Sequence, residues 1–386
     1  MLKRINFLTA GESHGKGLLG IIDGLPSNLE ISSAYINSQL SRRQKGHGRS
    51  ARMKIEHDQA EIYCGVRNQK TSGAPIGLII ENLDYKNWKN IMTPNKIESS
   101  NKKISLPRPG HADLAGIQKY DLDDIRDVIE RSSARETAMR VGLGSIARKM
   151  LEDIGINVGS RVVQIYTIRD TSSLSAIADI KDLNKIADKS PVRCLTKEIE
   201  KEMMSIIDES KKSGDSIGGS FEVIVSGVPY GLGSYVQWNR KLHARLSAVI
   251  MSINAFKGIQ FGDGFSSCYK KGSQVHDEIF WKDNKYDRGS NNAGGIEGGI
   301  SNGQNIVMEI GMKPIPTLIK PLKSVDINTK ENKLAHKERT DSCAVPAASI
   351  IAESMVCIGI ADAILEKFGG DSMEQLKSHI KATAKY

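Results

Sequence analysis

The chain has 386 residues, enough for one large domain or two ordinary ones around a substantial core. Its 54 Lys+Arg outnumber 45 Asp+Glu, and the formal charge of +9 favours anionic partners: a phosphorylated metabolite, a nucleic acid or an acidic surface. Five scattered cysteines without a CxxC pair argue against a disulfide framework or zinc ribbon, and eight histidines without ligand spacing give no reason to expect a metal.

The first element to raise a question is TAGESHGKG (9–17), which sets His14 among glycines, where the backbone holds least still. It reads either as a reactive imidazole on a tight turn after a strand or as a turn that merely contains histidine. The segment before it is too short and lacks a small-residue cleavage pattern, so no signal peptide is expected. SRRQKGHGRSARMK (41–54) follows, with Arg42, Arg43, Arg49 and Arg52 around Gly46 and Gly48. Taken alone it resembles a basic nucleic-acid-binding arm, but it contains no aromatic residue to stack on bases. Arginine there suits bidentate capture of phosphate or carboxylate equally well.

PIGLIIEN is a predicted strand, and the polar stretch 84–108 a long loop. RPGHAD (108–113) then places His111 after a Pro-Gly turn between Arg108 and Asp113. In RSSARE (131–136), Ser133 and Glu136 have capping-box spacing for a helix carrying Met139, Leu143, Ile146 and Met150, with Gly155 to end it. Arg131 and Arg135 at such a positive helix end are unfavourable by about 0.3–1 kcal/mol unless an anion sits there.

RVVQIYTI, SFEVIVSGV and QNIVMEIGM are further predicted strands, and Thr196 and Gly214 bracket a predicted helix. RKLHARLSAVIMSINA puts Leu242, Leu246, Val249 and Ile253 on one helical face. The stretch 270–295 reads as a second long loop. NNAGGIEGGISNGQ (291–304), KPIPT (313–317) and ERTDSC (338–343) combine glycine, rigid proline and charge; Arg339 and Asp341 share a side of an extended chain. The run after Pro346 is apolar almost all round, which predicts a helix buried in a large core. Glu353 and Asp362 interrupt it, making a poor membrane span. Strands and helices mix without a βαβ rhythm, so the expected class is α+β, in a cytoplasmic protein.

Separately each motif is weak. In order, GESHG, RRQKGHGR, RPGHAD, RSSARETAMR, GDSIGG, MSINAFKG, NNAGGIEGGISNGQ, KPIPT and RTD closely resemble the chorismate synthase family, from residue 5 to about 370. The resemblance implies one domain over 1–386, a β-α-β layered sandwich with helices inside and sheets outside, and a homotetramer. It implies elimination of phosphate from 5-enolpyruvylshikimate 3-phosphate to give chorismate, with reduced FMN required and no net redox change. By motif, His14 matches the acid for the departing phosphate, His111 the histidine near flavin N1, and Asp341 the acid acting where the C6 proton leaves. FMN contacts map onto Arg131, Ser132, Ser133, Asn254, Ala255, Gly298, Lys313, Pro314, Ile315, Pro316, Thr317 and Arg339. Arg43 and Arg49 match positions assigned to NADP and equally suit the substrate, as do Arg108 and Arg135. No large insertion resembles that of the family's bifunctional members, so NADP(H) is read as secondary, with reduced flavin arriving from elsewhere. In RTDSC a serine follows the aspartate where the family often has proline. The alternative reading is a nucleic-acid-binding protein using 41–54; a flavin reductase would need a glycine-rich βαβ fingerprint that is not seen.

Overall fold

In the strand Gly17–Asp23, Leu18, Gly20 and Ile22 are buried while Leu19, Ile21 and Asp23 face outward, the two-residue period of a sheet with one face on a core. The computed structural model describes residues 2–49, 57–96, 103–173, 179–338 and 340–383. In it this strand pairs with Asn6–Ala10 and Ile76–Glu81, and Ala60–Cys64 completes a four-stranded antiparallel sheet. A second antiparallel sheet runs in the order Phe256–Phe261, Ile306–Met312, Gly219–Ser226, Asn157–Ile165, Ile168–Arg169. The second sheet contains three of the predicted strand segments and the first contains PIGLIIEN.

Helices fill the space between. Ser33–Gln44 and Thr137–Asp153 lie against the first sheet, and Val345–Phe368 lies against Thr137–Asp153 on one side and the second sheet on the other. The approach is close enough to require glycine. A Cβ on Gly20 would stand 2.4 Å from Met139 Sδ, and one on Gly144 would stand 2.6 Å from the Ser354 carbonyl oxygen. One continuous apolar core runs through these layers, from Ile5 to Leu376. The architecture is therefore α+β with helices inside and sheets outside.

Val345–Phe368 is buried along its length except at Glu366 and Lys367. Among the described residues it is the one helix long and apolar enough to cross a membrane, and its apolar window lies wholly inside the protein. Its two internal acids are not defects. Asp362 accepts the backbone N–H groups of Lys3, Arg4 and Ile5 at 2.7–2.9 Å and pairs with Arg245, which ties the first strand to the core. Glu353 meets Arg42, Arg148 and Arg193.

Three local expectations change. The turn holding His14 joins two antiparallel strands, so the sheet fixes both its ends and the nearby helix, Ile125–Ser132, comes from elsewhere in the chain. Ser132 ends that helix, its hydroxyl donating to the Val128 carbonyl at 2.5 Å; Ser133 alone caps the next turn, accepting from the Arg135 N–H at 3.3 Å. The stretch 270–295 contains a β-hairpin, Ile279–Lys282 with Lys285–Arg288, around an Asp283-Asn284 turn with both residues at positive φ. Asp-Asn is a weaker turn signal than Asn-Gly, and charged residues hid the alternation.

Candidate functional site

Asn82, at the end of strand Ile76–Glu81, holds the 11–16 turn in place. Its amide donates to the carbonyls of Glu12 and Gly15 at 3.0 and 2.8 Å. Inside the turn, His14 is buried, and Glu130 of the Ile125–Ser132 helix grips it twice. The His14 backbone N–H donates to Glu130 Oε2 at 2.7 Å, and the ring Nδ1 lies 2.9 Å from Oε1. Trp88 covers the imidazole with ring centroids 4.1 Å apart, and the Arg126 guanidinium lies 5.0 Å from the Trp88 ring. Trp88 is itself anchored through its indole N–H to the buried Asp84. Trp88, in the first of the long loops, thus supplies a wall of the site.

The second imidazole is built differently but to the same end. Asp113 opens the helix Asp113–Tyr120 and is fully buried. It meets His111 Nδ1 at 2.6 Å, and accepts the Arg108 backbone N–H at 2.9 Å and its Nε at 2.8 Å. Burial alone would raise this carboxyl, but hydrogen bonds from His111 and Arg108 outweigh it and hold it well below the usual carboxylate range. Arg108 also donates to Thr317 Oγ1 at 2.8 Å and lies 3.7 Å from Glu338. Burial alone would raise the Glu338 carboxyl, but His336, 3.5 Å away, and the Arg108 charge outweigh it and hold it below the usual carboxylate range.

A third corner gathers the remaining arginines. Arg43 and Arg135, on separate helical segments, both pair with Asp58. Arg43 also donates to Thr137 Oγ1 at 2.9 Å, and Arg135 Nε to Asn82 Oδ1 at 2.9 Å. Arg49 pairs with Asp341 at 2.8 Å. Burial pulls the Arg43 guanidinium down to about 10; Arg49 and Arg135 add to that fall, against the pull of Asp58 and Asp341. The anion that Arg135 requires is thus supplied in part by a protein carboxylate, Asp58, which the sequence reading missed.

The last corner is made of backbone. Asn254 Nδ2 donates to the Ser132 carbonyl at 2.7 Å, and Ala255 adopts a left-handed φ of 69°. The Lys313 N–H donates to the Ala255 carbonyl at 3.0 Å, and Lys313 Nζ to the Gly110 carbonyl at 2.5 Å, beside His111. Ser216 of GDSIGG donates to the Ile315 carbonyl at 2.6 Å, and the Ile217 N–H to the Ser342 carbonyl at 2.9 Å, next to Asp341. Arg131 is turned back onto the first strand, donating to the Thr9 carbonyl at 2.8 Å and Thr9 Oγ1 at 3.0 Å.

Nearly all the residues singled out from sequence thus join one bonded ring. Gly298 does not. It lies in the hairpin Ile296–Glu297 with Ile300–Ser301, whose Gly299 carbonyl accepts from the Leu242 N–H, while Asn254 follows the other end of the helix Leu242–Met251. Ten residues at about 1.5 Å rise per residue put roughly 15 Å between those ends. Arg339 lies outside the described residues, as do Arg52 and the rest of 50–54. The nucleic-acid arm fails on Arg42 and Arg43, which turn inward onto acids rather than outward along a basic face. Glu130, Asp58, Trp88 and Glu338 were missed because each stands far in sequence from the group it serves. A carboxylate inside an ordinary amphipathic helix gave no signal for Glu130.

Two imidazoles, His14 buried and His111 half-buried, each held by a carboxylate within a ring of arginines, define an acid–base enzyme acting on a small anionic molecule. The family model described as chorismate synthase matches residues 5–365. The chorismate synthase of Listeria welshimeri is 52% identical over 381 residues, 98% of each chain; that of Alkaliphilus metalliredigens is 53% identical over 378, covering 97% of this chain and 98% of its own. That of Bacillus subtilis is 51% identical over 383 residues, 98% of each. A crystal structure of chorismate synthase superposes with a TM-score of 0.80 at 40% identity, covering 100% of this chain and 98% of the other. The chain belongs to the chorismate synthase family. It is accordingly a lyase that eliminates phosphate from 5-enolpyruvylshikimate 3-phosphate to form chorismate, in a family that depends on reduced flavin.

Proposed function

We propose that the bonded ring around His14, His111 and Asp341 is where this elimination takes place, with reduced FMN as the flavin. The observation that carries this reading is the joining of both carboxylate-held imidazoles to the arginines, His111 through Asp113 to Arg108, and the His14 turn through Asn82 to Arg135 and by Asp58 to Arg43. Arg43, Arg49, Arg108 and Arg135 would grip the phosphate and two carboxylates of the substrate, for which planar guanidinium forks are well matched. His14 has its Nδ1 committed to Glu130, so Nε2 is free to pass a proton to the departing phosphate oxygen as the C3–O bond breaks. Asp341, held by Arg49, serves the opposite end, where the C6 proton leaves.

The residues beside His111 fit FMN. Ser132–Ser133, Asn254–Ala255 and Lys313–Thr317 form a contiguous rim, joined by Asn254 to the Ser132 carbonyl and by the Lys313 N–H to the Ala255 carbonyl, and bordered by the Lys313 ammonium as a counter-charge for a phosphate-bearing ring system. Reduced FMN, when bound, supplies a lendable electron that loosens an allylic ester, which no side chain does readily. NADP(H) is not needed for this chemistry, and Arg43 and Arg49 are assigned to substrate.

The chain is further proposed to act as one domain in a cytoplasmic homotetramer. The continuous core supports the first part. Self-association is supported by the first sheet, where Leu8, Leu19 and Ile21 are 76%, 52% and 51% exposed on adjacent strands and Tyr63 is 72% exposed on the far edge strand. The deciding experiment is anaerobic: pure protein, substrate and chemically reduced FMN should release phosphate and chorismate. No product above a protein-free control overturns the proposal.

A further inference from the structure

Glu130 contributes nothing to the outer surface, yet it is among the most heavily used side chains of the site. Its carboxylate is fully buried and accepts from the His14 backbone N–H at 2.7 Å and from Arg126 at 3.3 Å, and it faces His14 Nδ1 at 2.9 and 3.1 Å. Its own backbone carbonyl accepts the Ser13 N–H at 3.0 Å. A carboxylate paired with a guanidinium can only accept, so the hydrogen between Nδ1 and Glu130 belongs to the imidazole. The ring is thereby fixed in one tautomer and one orientation, with Trp88 against its face and Nε2 as the single nitrogen able to exchange a proton with a ligand.

We propose that Glu130 is a positioning residue for the reaction, acting through His14: it dictates which nitrogen carries the exchangeable proton and supplies the counter-charge for the imidazolium among the surrounding arginines. A glycine-rich turn cannot hold a ring by itself. A buried carboxylate on a neighbouring helix, bonded to both the backbone and the ring of the same residue, can. This rests on the assignment of His14 as the acid.

The test is Glu130→Gln, which keeps the shape and removes the charge. Turnover should fall by roughly 10²-fold, with KM for substrate and the Kd for FMN within about threefold of wild type, because binding is left intact. On a His14→Ala background the same substitution should change turnover by less than about twofold, since its effect passes through the ring. Glu130→Asp, which restores the charge on a shorter arm, should recover at least about tenfold of the lost rate. In histidine-labelled enzyme the His14 nitrogen resonances, assigned by their loss in His14→Ala, should show a hydrogen-bonded Nδ1–H that changes in Glu130→Gln. That readout needs neither substrate nor flavin, and if the amide variant does not fold, a wild-type His14 without a hydrogen-bonded Nδ1–H overturns the proposal by itself. Additive losses in the double mutant, or unaltered His14 resonances, overturn the proposal. A wild-type enzyme that makes no chorismate would instead overturn the assignment of the site, while the resonances still report on the pair.

Discussion

Arg42 and Arg43 stand side by side near the end of the Ser33–Gln44 helix and lead into two different collections of buried charge. Arg42 donates to Glu353 at 2.8 Å and to Asp188 at 2.7 Å, in a cluster that also holds Arg148, Arg193 and the Ser160 hydroxyl. There three guanidiniums meet Glu353 and Asp188, with Glu152 4.0 Å from Arg148. Arg43 instead shares Asp58 with Arg135 and stands near Arg49. The first cluster knits helices to the second sheet. In the second, Arg43 and Arg135 share one carboxylate, and Arg135 reaches through Asn82 to the turn that holds His14. Two buried ionic clusters of similar make-up therefore differ in purpose by what they join.

The largest effects should come from the site. His14→Ala and His111→Ala should each lower the turnover of the folded fraction by about 10²–10⁴-fold, measured by chorismate formation. Unchanged rates would remove those rings from the chemistry. Glu353→Gln should do the reverse. It should cost about 3–5 kcal/mol in urea unfolding by stranding buried guanidiniums, while the folded fraction keeps its turnover. If that variant lost turnover but not stability, the two clusters would not be separable as argued.

A smaller effect sharpens the contrast through pH. Burial raises the Glu353 carboxyl, but Arg42, Arg148 and Arg193 more than reverse this and hold it at about 2, against an ordinary 4.5. Its stabilisation, about 3 kcal/mol, is complete above pH 4.5 and is lost as pH falls toward 2. Unfolding free energies across that window should show this slope in wild type and lack it in Glu353→Gln. The smallest effects come from the adjacent arginines. Arg42→Lys should lower stability by about 1–2 kcal/mol and spare turnover; Arg43→Lys, just as buried and bonded, should lower stability by a similar amount and in addition raise substrate KM about tenfold.

Sequence by itself determined the α+β class, the principal helices and most strands of the second sheet, because apolar periodicity is a local property. Ordered glycine-and-charge motifs also marked His14, His111 and Asp341. It did not reveal the strand Gly17–Asp23, where outward Leu19 and Ile21 are as apolar as inward Leu18 and Ile22, so the polar alternation is missing. Tertiary structure alone decided which arginine serves which cluster, since Arg42 and Arg43 are indistinguishable by type and differ by about 100° around one helix. It alone brought Glu130 to His14 and Asp58 to Arg135, pairs 116 and 77 residues apart. The reason is physical: a buried charge must find its partner in space, and nothing in the local chain encodes where that partner stands.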